Sequence, residues 1–110
     1  MIKTIGFAGV VAAAAIFITP AVAKDAQCYT TDDGDYRCQF EGIYGDGSFV
    51  ISAPGYPTFT VEMAENATAW VFAVFEPGGR NVALPGPYYR SQEDGACWVN
   101  PDTDVELCAW

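Results

Sequence analysis

In Thr58-Phe59-Thr60-Val61-Glu62-Met63 every odd position is apolar and every even one polar. A period of two belongs to a strand whose side chains point alternately to a core and to water. The same rhythm recurs between turn markers spaced as an all-β domain expects, and it leaves little room for helix. The chain therefore reads as all-β, a small antiparallel β-sandwich or barrel of about seven or eight short strands.

The punctuation is specific. Asp46-Gly47 stands between two β-prone runs, a hairpin signal that sets Tyr44 opposite Phe49. Ala53-Pro54-Gly55-Tyr56-Pro57 ends the strand that holds Phe49 to Ser52, because Pro-Gly favours a turn and proline removes a donor. Thr68 to Phe75 is apolar on both faces when read as a strand, which makes it either a strand covered on both sides or one with a sticky face. A helix starting near Glu65 competes, but aromatic and β-branched residues favour the strand. Glu76-Pro77-Gly78-Gly79 closes it, and Arg80 to Leu84 reads as the return strand. Residues 85 to 95 form the longest apparent loop, and Asn100-Pro101-Asp102-Thr103 is a type I turn before the segment that ends in Trp110.

The start of the chain carries a different signal. Lys3, an apolar segment from Ile5 to Ile18 and the small-residue site Ala21-Val22-Ala23 read as a cleavable secretory signal over residues 1–23. The apolar stretch falls short of the roughly 20 residues a membrane span needs. Residues 24–110 then form a single small β domain, exported to the periplasm or secreted, with no membrane attachment after cleavage. Lys24-Asp25-Ala26-Gln27 before Cys28 lacks the small apolar character of a lipid-attachment site.

A domain of 87 residues has a small core and gains from covalent help. Four cysteines in an exported chain supply it as two disulfides. Zinc or iron–sulfur ligation is excluded by the absence of C-x₂-C spacing and of any histidine. A thioredoxin-like pair is excluded by the same spacing. Three pairings are open to four cysteines, and hairpin geometry favours the local ones, Cys28–Cys38 and Cys97–Cys108. With Asp32-Asp33-Gly34 as a three-residue loop, Cys28 faces Cys38 at a pair whose Cα atoms lie about 4.5 Å apart. A loop over residues 101–104 likewise sets Cys97 opposite Cys108. Cys-Tyr and Cys-Gln-Phe around one acidic turn echo Cys-Trp and Cys-Ala-Trp around the other, so the two ends look like similar hairpins.

Without its leader the chain holds four cations, Lys24, Arg37, Arg80 and Arg90, against fourteen carboxylates, a formal charge of −10. Nucleic acid and anionic lipid are thereby disfavoured as partners, since both are bound by Lys and Arg. A basic protein or a neutral ligand fits better. Asp32, Asp33 and Asp35 beside Gly34 are weak candidates for calcium, joined by Asp102 and Asp104 if the two hairpin tips meet. The EF-hand spacing is not met, and aspartates are ordinary turn residues. No cofactor is implied. Catalysis has no visible constellation, with no histidine and no G-x-S-x-G around any serine, so the chain reads as non-enzymatic. Tyr88, Tyr89 and Arg90 are the candidate binding residues, two aromatics and a rare cation in an apparent loop. Asn66-Ala67-Thr68 matches a glycosylation acceptor, read as coincidental behind a bacterial-looking signal.

Tyr36-Arg37-Cys38 and the Gly86-Pro87-Tyr88-Tyr89 segment preceding Trp98 resemble the periplasmic lysozyme-inhibitor β-domains. The resemblance implies a small, exported, disulfide-bonded inhibitor of a basic cell-wall hydrolase. This sequence departs from it by a second cysteine pair and by lacking the serine of the inhibitory loop. The primary expectation is a non-catalytic protein that binds through residues 85–95 or through the 68–75 strand, with the hydrolase inhibitor and a calcium-dependent module as alternatives.

Overall fold

The period-two segments become nine strands in a computed structural model that describes residues 23–110. Residues 1–22, and with them nearly all of the expected signal peptide, lie outside the described residues. The strands are β1 (Lys24–Thr30), β2 (Gly34–Gly42), β3 (Phe49–Ser52), β4 (Thr58–Met63), β5 (Thr68–Val74), β6 (Val82–Ala83), β7 (Tyr88–Arg90), β8 (Cys97–Asn100) and β9 (Val105–Ala109). All pairings are antiparallel, and they join neighbours in sequence except that β5 pairs with β7 as well as with β6, and β9 pairs back onto β1. Between sandwich and barrel, the chain is thus a closed eight-stranded barrel, with β6 as an additional strand on β5. Closure removes the unpaired sheet edges that a small β protein must otherwise protect.

One residue in two faces the interior. Cys28, Tyr36, Cys38, Phe49, Ile51, Phe59, Val61, Val71, Tyr88, Trp98 and Leu107 are all buried there in a continuous cluster. Large and small side chains alternate around the wall, as a narrow barrel requires. Fully buried Ala73 lies opposite Phe59, and fully buried Ala69 opposite both Met63 and Tyr88. The 68–75 strand has the sticky face. Ala69, Val71 and Ala73 point in, while Trp70, 47 % exposed, Phe72 and Val74 point out.

Both disulfides join the expected partners, Cys28 with Cys38 and Cys97 with Cys108. Each closes a loop of about a dozen residues, worth roughly 3 kcal/mol by chain-entropy reasoning. Their settings differ. Cys97 and Cys108 are directly opposed, as expected, on the outward side of β8 and β9. Cys28 instead faces Tyr36, and Cys38 faces Ala26, so the inner bridge runs diagonally with Cα atoms 5.9 Å apart. The reason is the turn. The Asp33 N–H donates to Thr30 Oγ1 at 3.1 Å, and that hydroxyl donates to Asp33 Oδ2 at 2.9 Å. The loop therefore closes over Thr31, Asp32 and Asp33, and Gly34, at φ 72°, pairs with Thr30.

Three further expectations change. Tyr44 does not face Phe49. The Ile43 N–H reaches the Ser48 carbonyl at 2.8 Å, Asp46 accepts from the Ser48 N–H, and Tyr44 turns out at φ 63° with 73 % exposure. Phe49 stacks instead on Phe40, with ring centroids 4.9 Å apart. The return strand expected over Arg80–Leu84 shrinks to Val82–Ala83. The 85–95 loop is interrupted by β7, so Tyr88, Tyr89 and Arg90 belong to the barrel wall. β6 and β7 pair with the same edge of β5, and Pro85-Gly86-Pro87 bulges out between them because neither proline can donate to the ladder.

Candidate functional site

The barrel is filled unevenly along its length. At the end where the β1–β2, β3–β4, β5–β6 and β8–β9 connections gather, a cavity of about 310 Å³ opens to solvent. Phe59, Leu84, Tyr88, Val105 and Leu107 line its floor and walls, and Pro57, Phe75 and Pro85 line its apolar lip. Thr30, Asp32, Asp33 and Thr103 supply the polar side of the opening. A largely apolar cup with a few polar groups at one edge, in the size range of ligand pockets, is what an eight-stranded barrel offers a small ligand.

Each part of the lip is held by local chemistry. Thr31 locks the first hairpin to the last strand, accepting from the Glu106 N–H at 2.8 Å and donating its own N–H to the Glu106 carbonyl at 3.1 Å. Asp33 is fixed by Thr30. Pro85 is fixed from below by Asn100, which is 1 % exposed and donates from Nδ2 to the Pro85 carbonyl at 2.6 Å. The same side chain accepts from the Asp102 N–H at 2.9 Å and meets the Tyr88 hydroxyl. Burial pushes the Tyr88 phenol above its ordinary range, the Asn100 hydrogen bond pulls it back, and the Asp32 charge raises it further.

A second buried phenol stands at the same end. Tyr36 stacks flat on Tyr56 of the β3–β4 loop, with ring centroids 4.1 Å apart. Its hydroxyl is buried and has no hydrogen-bond partner. Burial first, then the Asp33 charge and Tyr56, push its pKa up to about 12. Both phenols remain neutral at physiological pH, and each feels one aspartate of the β1–β2 tip.

Tyr88, Tyr89 and Arg90 do not converge. Alternation along β7 sends Tyr88 into the cavity wall and Tyr89, 47 % exposed, to the outer surface. Arg90 faces the other end of the barrel, where its guanidinium lies 4.3 Å from the centroid of the Trp98 ring and donates to the Gly95 carbonyl. That end holds a hollow of about 210 Å³ between Phe40, Phe49, Arg90 and Trp98. Trp110 closes down beside it, its indole donating to Asp94 at 2.8 Å and its backbone N–H to the Gln27 carbonyl. Asp94 is held below the usual carboxylate range by the Ala96 N–H and then by that indole.

The two acidic hairpin tips do meet, since Asp32, Asp33 and Thr103 line one cavity. Among the described residues, however, the one group of three potential metal ligands within mutual reach is Cys97, Glu106 and Cys108, and its two sulfurs are bonded to each other. Asp32, Asp33 and Asp35 form no such group. The cavity itself is not visible in the sequence, because the segment from Pro85 to Tyr88 reads as loop. The available signal was the spacing of Trp98 and Asn100, which places Asn100 inside the barrel as well as at a turn. No protein-family model, curated protein or solved structure matches this chain.

Proposed function

We propose that this chain is an exported, non-catalytic binding protein that takes a small apolar ligand into the open mouth of its barrel. The observation that carries the reading is the open, largely apolar cup above Phe59, Leu84 and Leu107, whose size falls in the range of ligand sites and whose polar groups gather at one edge. Export rests on the leader and the two disulfides, and the non-catalytic reading on the missing acid–base constellation.

Titration with the neutral fluorophore N-phenylnaphthylamine tests it. Saturable, blue-shifted fluorescence is expected, weakened by Leu84→Trp, which fills the mouth, and unaffected by Trp70→Ser on the outer wall. Absence of saturable binding by the disulfide-intact protein refutes the reading.

A second reading, inhibition of a basic cell-wall hydrolase, is favoured by the meeting of two acidic hairpin tips at one end of a strongly acidic protein. It requires salt-sensitive binding to a cationic hydrolase. Hydrolase activity that is unchanged at high protein excess discards it.

A further inference from the structure

The mouth carries a charge pattern that an apolar cup alone does not need, and the inference drawn from it rests on the reading of the mouth as a ligand site. Asp32 and Asp33 line the opening, and no lysine or arginine does. The aromatic faces of Phe59, Phe75 and Tyr88 complete the surroundings, and such faces attract cations.

We propose that the mouth selects an apolar molecule bearing a protonated amine, with its tail among Phe59, Leu84 and Leu107 and its ammonium group at the opening near Asp32 and Asp33. An ammonium is a donor with no acceptor, which suits an edge whose charged groups are carboxylates alone. At the volume a water occupies in the liquid, ~30 Å³, the cavity has room for roughly ten non-hydrogen atoms. That is the size of a medium-length alkylamine.

The test is displacement of bound N-phenylnaphthylamine from the disulfide-intact protein by decylammonium, decanol and decanoate at neutral pH and low ionic strength. Two carboxylates about 6 Å from the charge, screened as in water, give roughly a tenfold preference for the amine over the alcohol. Decanoate is expected to be the weakest. Replacing both lip residues, Asp32→Asn with Asp33→Asn, should bring amine and alcohol to parity, whereas Asp35→Asn, outside the cavity, should leave the preference intact. Equal displacement by amine and alcohol, or a preference that survives both lip replacements, overturns the cation assignment and leaves the mouth as an apolar site. If the double variant does not fold, ionic strength decides the matter. The preference should vanish at about 0.5 M salt, and its persistence there overturns the assignment. Failure of the fluorophore to bind at all overturns both readings.

Discussion

Replacing Asn100 with alanine tests whether one buried amide organises the floor of the mouth. Its side chain makes three contacts, to the Pro85 carbonyl at 2.6 Å, the Asp102 N–H at 2.9 Å and the Tyr88 hydroxyl. These losses are unequal. Pro85 and Asp102 are exposed and can turn to water, so each bond lost costs about 1 kcal/mol. The Tyr88 side chain is 2 % exposed, and stranding its hydroxyl costs a further 1–3 kcal/mol or so. Asn100→Ala should therefore destabilise the protein by roughly 3–5 kcal/mol, a large part of the stability of so small a domain. Urea unfolding at constant m measures it, and a double-mutant cycle identifies its source. Tyr88→Phe should cost about 1 kcal/mol in the natural protein, yet be neutral or stabilising beside Asn100→Ala, because it removes the stranded hydroxyl. A loss under 1 kcal/mol for Asn100→Ala, with strictly additive effects, refutes the idea of a shared buried network.

Two other predictions address the turns and the buried phenols. In the β4–β5 turn the Thr68 N–H donates to the Glu65 carbonyl, and Asn66 and Ala67 are both left-handed at φ 59°. Alanine pays for that conformation and asparagine tolerates it, so Ala67→Gly should raise stability by about 0.5–1 kcal/mol after glycine's larger chain entropy is subtracted. Thermal unfolding reads this directly, and an unchanged or lower Tm contradicts it. The Tyr36 phenol titrates at about 12 in the folded protein against an ordinary 10, so its neutral form is favoured by folding. Its contribution to stability is complete below pH 10 and is lost as pH rises from 10 through about 12. Tyrosinate absorbance should show a phenol titrating at about 12 that disappears in Tyr36→Phe, leaving Tyr88 as the remaining raised phenol, and a late component undiminished in that variant removes the argument.

What sequence could reveal here follows the range of the forces involved. Alternation is local, so the strands holding Phe59, Val61, Val71 and Leu107 are visible in it, and so is the opposition of Cys97 and Cys108 across a turn that starts with Asn100 and Pro101. The first hairpin's register differs from the one alternation predicts because one side-chain contact, Thr30 with Asp33, chooses between two plausible loops. Ring closure, the pairing of β9 with β1, joins residues at opposite ends of the domain, and no local pattern encodes it. The cavity is the least legible feature, because it depends on what the Pro85-Gly86-Pro87 bulge fails to fill.

That bulge explains why three adjacent candidates serve three surfaces. In a loop, Tyr88, Tyr89 and Arg90 could have formed one patch, but a strand forbids it, since neighbours along a strand point to opposite faces. Tyr88 is buried and Arg90, two residues on, is exposed, and the two lie toward opposite ends of one barrel. The apolar mouth receives Tyr88, near Asp32, and the aromatic hollow at the other end receives Arg90, over Trp98. Arg90 therefore lies away from the acidic lip, and no lysine or arginine lines the mouth. A ligand bearing positive charge, as proposed for the mouth, would meet no like charge from the cavity lining as it enters.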